Sequence, residues 1–171
     1  MKKLLFIYIF LLNIGLSQAA TTHEDLLVAA RALGFMNNSL TGKVRVGIVY
    51  APSASKSVTD ANNIYKLMGS GLEVGDVVLA PVLLNIDNAA SADVRLFFLA
   101  EGSGNDAAKL GAISREKKVL CITADTSQVI KGSCTLGVKS EPKVEIFMNR
   151  GLANSSGISF ATAFRMMITE L

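Results

Sequence analysis

The sequence has two cysteines, Cys121 and Cys134, and three kinds of chemistry are open to such a pair. Reactive redox pairs usually have C-x-x-C spacing, in which one thiol lowers the pKa of the other, whereas residues 122–133 separate this pair. A zinc site needs about four ligands, and His23 is the only histidine of the chain. A structural disulfide bond is favoured, with two free thiols as the alternative. The choice depends on the compartment, because disulfides persist outside the cytosol.

The amino-terminal sequence predicts that compartment. Two lysines precede an apolar run from Leu4 to Leu16, and residues 17–19, Ser-Gln-Ala, form a small-x-small site after it. This layout is typical of a secretory signal peptide, and the run is shorter than the roughly 20 apolar residues of a membrane span. We therefore predict cleavage after Ala19 or Ala20, rather than an uncleaved membrane anchor, and export to a bacterial periplasm.

Export favours a disulfide bond between Cys121 and Cys134, which would hold the connection between two strands at one rim of a sheet. Residues 1–20 are assigned to the signal peptide, and residues 21–171 are enough for one domain with its own core. The formal net charge is +3, of which the two lysines of the signal peptide supply two. With so little charge left, no tryptophan and no basic patch, nucleic acid is excluded as a partner.

Hydrophobic periodicity predicts alternating helices and strands along the domain. In chain order we expect a helix from Thr21 or Thr22 to about Asn37, a strand over Val44–Tyr50, a helix to about Met68, strands over Gly75–Asn85 and Ala92–Ala100, a helix over Asp106–Glu116 and a strand over Lys117–Ala124. This order favours an α/β fold with a mostly parallel sheet flanked by helices. Pro81 indicates an edge or a bulge in the second strand.

The carboxyl-terminal part predicts an antiparallel hairpin and a closing helix. Only Glu141-Pro142 separates the strands expected over Cys134–Ser140 and Lys143–Arg150, which is hairpin spacing. Within residues 155–171, apolar side chains recur on one helical face. The hairpin is therefore expected at the side of the sheet, with the final helix packed against it.

The other polar residues give little support for catalysis, and we expect no enzyme activity, no cofactor and no metal. The sequence has no G-x-S-x-G motif, and His23, the only histidine base available to a serine nucleophile, lies near a chain end that is usually mobile. Gly102–Asp106, or the serines at 53, 55 and 57, could offer groups to an anion at a helix start, but loop and capping roles are favoured because P-loop and Rossmann motifs are absent. Six carboxylates occur singly along the sequence: Asp60, Asp76, Asp87, Asp93, Glu101 and Asp106.

Residues 143–164, KVEIFMNRGLANSSGISFATAF, resemble the carboxyl-terminal signature of the YfiR-like family of bacterial periplasmic proteins. Asn149 matches the asparagine at the end of a family strand, and Gly157 and Ser159 match the turn that follows. The resemblance implies structural roles for all three residues. Two earlier segments also match strands of the family: Val44–Val49 and Asp93–Leu99.

The resemblance implies a regulatory protein. The best-known family member is a periplasmic repressor that binds the periplasmic sensor domain of an inner-membrane diguanylate cyclase and holds it inactive, and its release raises cyclic di-GMP and favours biofilm formation. That member is a dimer with two disulfides, whereas this chain has cysteines for one. A repressor needs an exposed apolar surface, and we expect Leu33, Phe35 and Met36 to contribute to it unless they belong to the core.

Two other functions remain open. A periplasmic small-ligand binding protein related to transporter substrate-binding domains would have a similar exported α/β fold. Such a protein needs a concave pocket with a few convergent polar groups. A structural or envelope-assembly protein would need neither that pocket nor a docking surface.

Overall fold

The structure is a computed structural model that describes residues 20–171, so the predicted signal peptide, apart from Ala20, lies outside the described residues. The strands, numbered along the chain, are β1 (Gly42–Tyr50), β2 (Leu72–Val74), β3 (Val77–Asn85), β4 (Leu96–Leu99), β5 (Leu120–Thr123), β6 (Leu136–Lys139), β7 (Glu145–Met148) and β8 (Thr169–Glu170). The helices are α1 (His23–Leu33), α2 (Ser55–Met68), α3 (Ala107–Lys117), α4 (Thr126–Ile130), α5 (Arg150–Ser155) and α6 (Thr162–Arg165), with short 3-10 turns at Ile86–Asn88 and Gly104–Asp106.

All eight strands form one sheet in the order β2-β3-β1-β4-β5-β6-β7-β8. Neighbouring strands are parallel except for the pairs β2–β3 and β6–β7. The predicted α/β fold with a mostly parallel sheet is therefore confirmed. The predicted hairpin is β6–β7, with Leu136 opposite Met148 and Lys139 opposite Glu145.

Helices cover both faces of the sheet, and β4 illustrates why. All four residues of this strand are buried, as expected for a central parallel strand that is covered on both faces. Phe98 belongs to one core cluster together with Leu26 of α1 and Ile64 of α2. Phe97 belongs to the second cluster together with Leu110 of α3. Alternate side chains of this strand thus pack against helices on opposite faces of the sheet.

Pro81 lies at an exposed edge, as predicted. Along its whole length, β3 pairs with β1, but on its other side β2 pairs only with Val77–Leu79. Pro81 lies beyond that short pairing, where a strand needs no N–H donor for a second neighbour.

Two predicted helices are wrong in extent. The first helix ends at Leu33, with Gly34 as its carboxyl-terminal cap, instead of continuing to Asn37. The closing helix expected within residues 155–171 is replaced by α6 and β8, and this segment is preceded by α5, which was not predicted. Gly157 has a φ of +67°, which breaks a right-handed helix. Phe160 then pairs with Met36 through an isolated β-bridge, and the last residues join β7 as a parallel strand.

The connection between β5 and β6 contains α4, which the sequence analysis missed. Asp125 caps this helix by accepting a hydrogen bond from the backbone N–H of Ser127. Val129 is buried against β6 and leaves no room for a side chain at Gly137, since a Cβ there would lie 2.7 Å from Cγ2 of Val129. Within residues 20–171, no helix is long and apolar enough to cross a membrane.

Candidate functional site

Cys121 and Cys134 form the predicted disulfide bond. Both residues are fully buried, and their Cα atoms lie 4.9 Å apart. The bond joins the amino-terminal ends of β5 and β6, where Thr135 also donates a backbone hydrogen bond to Cys121. The connection between the two cysteines is not held by this bond alone, because it contains the helix α4.

An apolar groove lies between α1, α6 and the start of β7, and we call it the Phe35 groove. Its volume is about 290 Å³. The groove is lined by Val28, Arg31, Ala32, Phe35, Val144, Ile146, Phe164, Met167 and Ile168. Phe35 is 40% exposed and Met167 is 67% exposed, although both side chains are large and apolar. Exposed apolar side chains that lie together in this way can contribute to a protein–protein contact, although this lining alone is smaller than the patch of roughly several hundred Å² expected of a docking surface.

The three predicted partner-binding residues lie in different environments. Phe35 is part of the groove, and its ring stacks on that of Phe164 with 4.9 Å between the centroids. Leu33 is 1% exposed and belongs to the core, so the expectation that it contributes to a docking surface is wrong. Met36 is half-buried, forms a β-bridge with Phe160 and lines a different cavity, which also includes Arg95 and Lys118.

The groove is held by contacts between distant parts of the chain. Backbone hydrogen bonds join Ala161 to Phe35 and Asn37 to Ser159. At the edge of the sheet, Glu170 of β8 accepts hydrogen bonds from the side chain of Arg165, and these hydrogen bonds lower the pKa of Glu170. The first helix and the carboxyl-terminal segment thus form one surface that sequence proximity does not reveal.

The three residues on which the sequence resemblance depends hold the turns that lead to the groove. Asn149 caps α5 by accepting a hydrogen bond from the N–H of Leu152, and its side-chain amide donates to the carbonyl of Val129 in α4. Gly157 lies in the turn after α5 and has the positive φ that this turn needs. Ser159 accepts a hydrogen bond from the side-chain amide of Asn37 at 3.0 Å. These contacts give the three residues structural roles.

A second polar region surrounds the start of α1. Thr22 and Asp25 form a capping box. Both carboxylate oxygens of Asp25 accept hydrogen bonds: Oδ2 from the backbone N–H and hydroxyl of Thr22, and Oδ1 from the backbone N–H and hydroxyl of Ser140 after β6 at 2.8 and 2.7 Å. Burial opposes ionisation of Asp25, but the hydrogen bonds from Thr22 and Ser140 outweigh burial and lower the pKa of the carboxyl group.

Asp60 and Glu101 are the centre of this region, which we call the Asp60 cluster. The buried carboxylate of Asp60 accepts hydrogen bonds from the backbone N–H and hydroxyl of Thr21, both at 2.9 Å, and from the backbone N–H of Glu101 at 2.8 Å. Sequence reasoning missed this cluster, because positions 21, 60 and 101 are far apart in the chain and no local spacing joins them.

Glu101 is buried and lacks a hydrogen-bond partner for one oxygen. No described group donates a hydrogen bond to its Oε2 atom, and the ammonium group of Lys56 lies 3.8 Å away. Burial, and then the negative charge of Asp60, raises the pKa of Glu101 to about 7. A small cavity of about 50 Å³, lined by Ala20, Glu101 and Lys139 among others, lies beside this carboxyl group.

The serine-rich loops proposed as anion sites are linked to each other. Ser57 accepts a hydrogen bond from the N–H of Ala51, and its hydroxyl shares a hydrogen bond with Ser103 at 2.9 Å. Ser103 in turn donates to the carbonyl of Ala100. These hydroxyls connect the loops after β1 and β4, so the arrangement favours loop roles over anion binding.

Two larger cavities lie at the opposite end of the strands. One, of about 630 Å³, lies before β4 and β5 and includes Arg95 and Lys118. The other, of about 590 Å³, lies before β1 and β3. Ligands of open α/β sheets usually bind outside the carboxyl ends of the strands, so neither cavity has the usual position of a ligand site.

Comparison with known proteins places the fold and leaves the family open. No family model matches the chain, and no curated protein matches it. A conserved domain protein from Vibrio cholerae has a similar structure, with a TM-score of 0.58 and 11% identity over 86% of this chain and 59% of that one. An ABC domain from Streptococcus pneumoniae, solved in complex with L-Trp, gives a TM-score of 0.51 and 11% identity over 74% of this chain and 54% of that one. This chain therefore spans less than two thirds of either protein, and the likeness concerns the fold alone.

Proposed function

We propose that this protein is an exported, non-enzymatic regulatory protein that binds the periplasmic sensor domain of an inner-membrane signalling protein and represses it. The resemblance to YfiR-like proteins gives a diguanylate cyclase as the class of partner. Export is supported by the signal-peptide pattern and by the buried disulfide bond between Cys121 and Cys134. The resemblance also gives a dimer as the form of the protein.

The observation that supports docking is the Phe35 groove. Three of its lining residues have exposed large apolar side chains, and they come from three distant parts of the chain: Phe35, Val144 and Met167. Burying one such side chain completely on binding contributes about 1.5–3 kcal/mol. Arg31, at the rim, adds a cation that would favour an acidic group on the partner.

Crosslinking in cells tests this proposal. The tagged mature protein is crosslinked in the periplasm, and the membrane fraction is analysed by mass spectrometry. We expect capture of one inner-membrane protein that has both a periplasmic sensor domain and a cyclase domain, and deletion of the regulator should raise cyclic di-GMP. Capture of no membrane protein, while a known periplasmic pair crosslinks in the same cells, would contradict the proposal.

A small-ligand binding protein is the second candidate, and the fold likeness to a domain solved with L-Trp is the observation that favours it. Thermal unfolding of the mature protein with and without millimolar amino acids separates the two functions. Our proposal predicts an unchanged Tm. A rise of several degrees with one amino acid would favour ligand binding, because a ligand that binds only the folded state stabilises it.

A further inference from the structure

Every polar atom of Thr21, at the beginning of the domain, forms a hydrogen bond with Asp60 or with Asn63 on the same helix. The N–H and hydroxyl of Thr21 donate to Asp60, and its carbonyl accepts a hydrogen bond from the side-chain amide of Asn63 at 2.8 Å. Thr21 and Asp60 are each 2% exposed. A residue directly after a predicted cleavage site is usually loosely held, so this degree of burial needs a reason.

The cluster has more buried acid than base. Buried carboxyl groups come from three elements or their ends: Asp60 of α2, Glu101 after β4 and Asp125 before α4. The cations that act on Glu101 are Lys56, which is partly exposed, and Lys139, which is exposed. Asp25 lies beside them and is satisfied by Thr22 and Ser140. Burying carboxylates is costly unless a cation and hydrogen bonds compensate them.

We infer that the Asp60 cluster is a binding site for the α-ammonium group that removal of the signal peptide creates. Hydrolysis of one amide bond consumes one water molecule and leaves a carboxylate on the signal peptide and an ammonium group on the domain. Cleavage after Ala20 places that group on Thr21, whose nitrogen lies 2.9 Å from Oδ1 of Asp60. The ammonium nitrogen has two more hydrogens than the amide, and Oε2 of Glu101 is a buried oxygen that forms an ion pair with Lys56 at 3.8 Å but accepts no hydrogen bond from a described group.

Cleavage after Ala19 leads to the same chemistry one residue earlier. Ala20 lines the cavity of about 50 Å³ beside Glu101, which is room for one or two water-sized groups. An ammonium group fits such a space. Residues 20–171 contain no group of three metal-binding side chains, so this cluster lacks the ligands for a metal ion.

The inference rests on the proposed export, but not on the proposed partner. It gives the processed chain a contact that the precursor lacks, because an amide nitrogen carries no charge. The folded domain is therefore expected to be most stable after its signal peptide has been removed. Amine capture by buried acceptors is also a known mode of amino-terminal recognition.

The test compares four chains purified from the periplasm: the natural mature protein, a chain with Gly-Ser inserted after the cleavage site, and the Asp60→Asn variant of each. The extended chain keeps an α-ammonium group but displaces it from the cluster. We expect the unfolding constant at pH 6.5 to be about tenfold higher for the extended chain, since a pKa shift of one unit corresponds to that factor. In the Asp60→Asn background the difference should shrink to about twofold or less.

The pH dependence identifies the ammonium group. Its unfolded pKa is about 7.7–8.0, and pairing with carboxylates raises the folded pKa. The advantage of the mature chain is thus fully present below about pH 7.7 and is lost as the pH rises through the raised folded pKa. Reductive methylation should modify the α-amine slowly in the folded mature chain and rapidly after denaturation.

Two results would overturn the inference. If the mature and extended chains have equal stability and their α-amines react equally fast when folded, the ammonium group is not bound. If intact mass shows that the signal peptide remains attached, the inference fails together with the proposed export. Cleavage after Ala19 or Ala20, together with the predicted difference in stability, would support both the export and the binding of the ammonium group.

Discussion

The two ends of helix α1 lie in regions that differ in how completely their side chains are used. At its start, the side chains of Thr21, Asp25 and Asp60 are buried and accept or donate hydrogen bonds within the protein. Just beyond its end, Phe35 is 40% exposed and shares a groove with the exposed side chain of Met167. Buried polar groups are normally hydrogen-bonded within the folded protein. Exposed apolar side chains, in contrast, can still be buried against a partner. The difference suggests that the Asp60 cluster serves folding and the Phe35 groove serves a partner.

Asp60→Ala should have the largest effect and would act on stability. The substitution leaves two N–H groups and a hydroxyl without their acceptor in a buried region. We expect the free energy of unfolding to fall by about 4 kcal/mol, from roughly 1–3 kcal/mol for each unpaired group. Urea denaturation measures this loss, and Asp76→Ala, at an exposed carboxylate, is the matched control. An equally small loss of stability in both variants would show that the Asp60 cluster has no special role in folding.

Loss of the disulfide bond tests the core on the sheet face opposite α1, to which neither region belongs. The bond closes the connection containing α4, and a loop of that size contributes about 3 kcal/mol in the chain-entropy model. Cys121→Ser combined with Cys134→Ser should lower the urea midpoint by a corresponding amount. Alkylation of the purified wild-type protein without reductant is the control, and modification of both thiols there would show that the bond does not form.

The pH dependence of stability should depend on Glu101. Its pKa in the folded state is raised from 4.5 to about 7, so the folded protein binds more protons than the unfolded chain between these values. Stability therefore falls as the pH rises through this window, by on the order of 2 kcal/mol. Glu101→Gln should remove the fall, whereas Glu116→Gln, at an exposed position, should leave it unchanged. The Gly-Ser-extended chain is the form to measure, because an α-ammonium group beside Glu101 would oppose the shift.

Phe35→Ala should weaken binding of the partner with a smaller effect on stability. Removing a half-exposed ring from the groove is expected to raise the Kd about tenfold, or roughly 1.4 kcal/mol. Tyr65→Ala is a matched control, since Tyr65 is 42% exposed on α2 and does not line the groove. Calorimetry with the isolated sensor domain of the captured partner measures both variants. Equal affinities of the two variants for the sensor domain would show that the groove does not contribute to binding of the partner.

The sequence predicts the elements that local pattern determines. The apolar run of β4, the hairpin spacing at Glu141-Pro142 and the edge position of Pro81 all follow from short segments, and the structure agrees with them. The closing helix is wrong because a periodic apolar pattern does not outweigh the positive φ of Gly157 and the pairing of β8 with β7. Local periodicity contains no information about either.

The candidate sites depend on contacts between distant residues, and this limits their prediction. The cysteine pair was predictable, because a chain with two cysteines has one possible intramolecular bridge, and the structure contains it. Phe35 was identified, but its neighbours Phe164 and Met167 come from the far end of the chain. Leu33, two residues earlier, is in the core. The Asp60 cluster unites positions 21, 60 and 101, which only the fold brings together.

A photocrosslinking amino acid at position 167, compared with one at position 130, tests the central claim most directly. Met167 and Ile130 are 67% and 69% exposed, but only Met167 lines the Phe35 groove. Our account predicts that, in living cells, position 167 captures an inner-membrane protein with a periplasmic sensor domain and a cyclase domain, while position 130 does not. Equal capture at both positions, or capture at position 130 alone, would contradict the assignment of the groove as the docking surface.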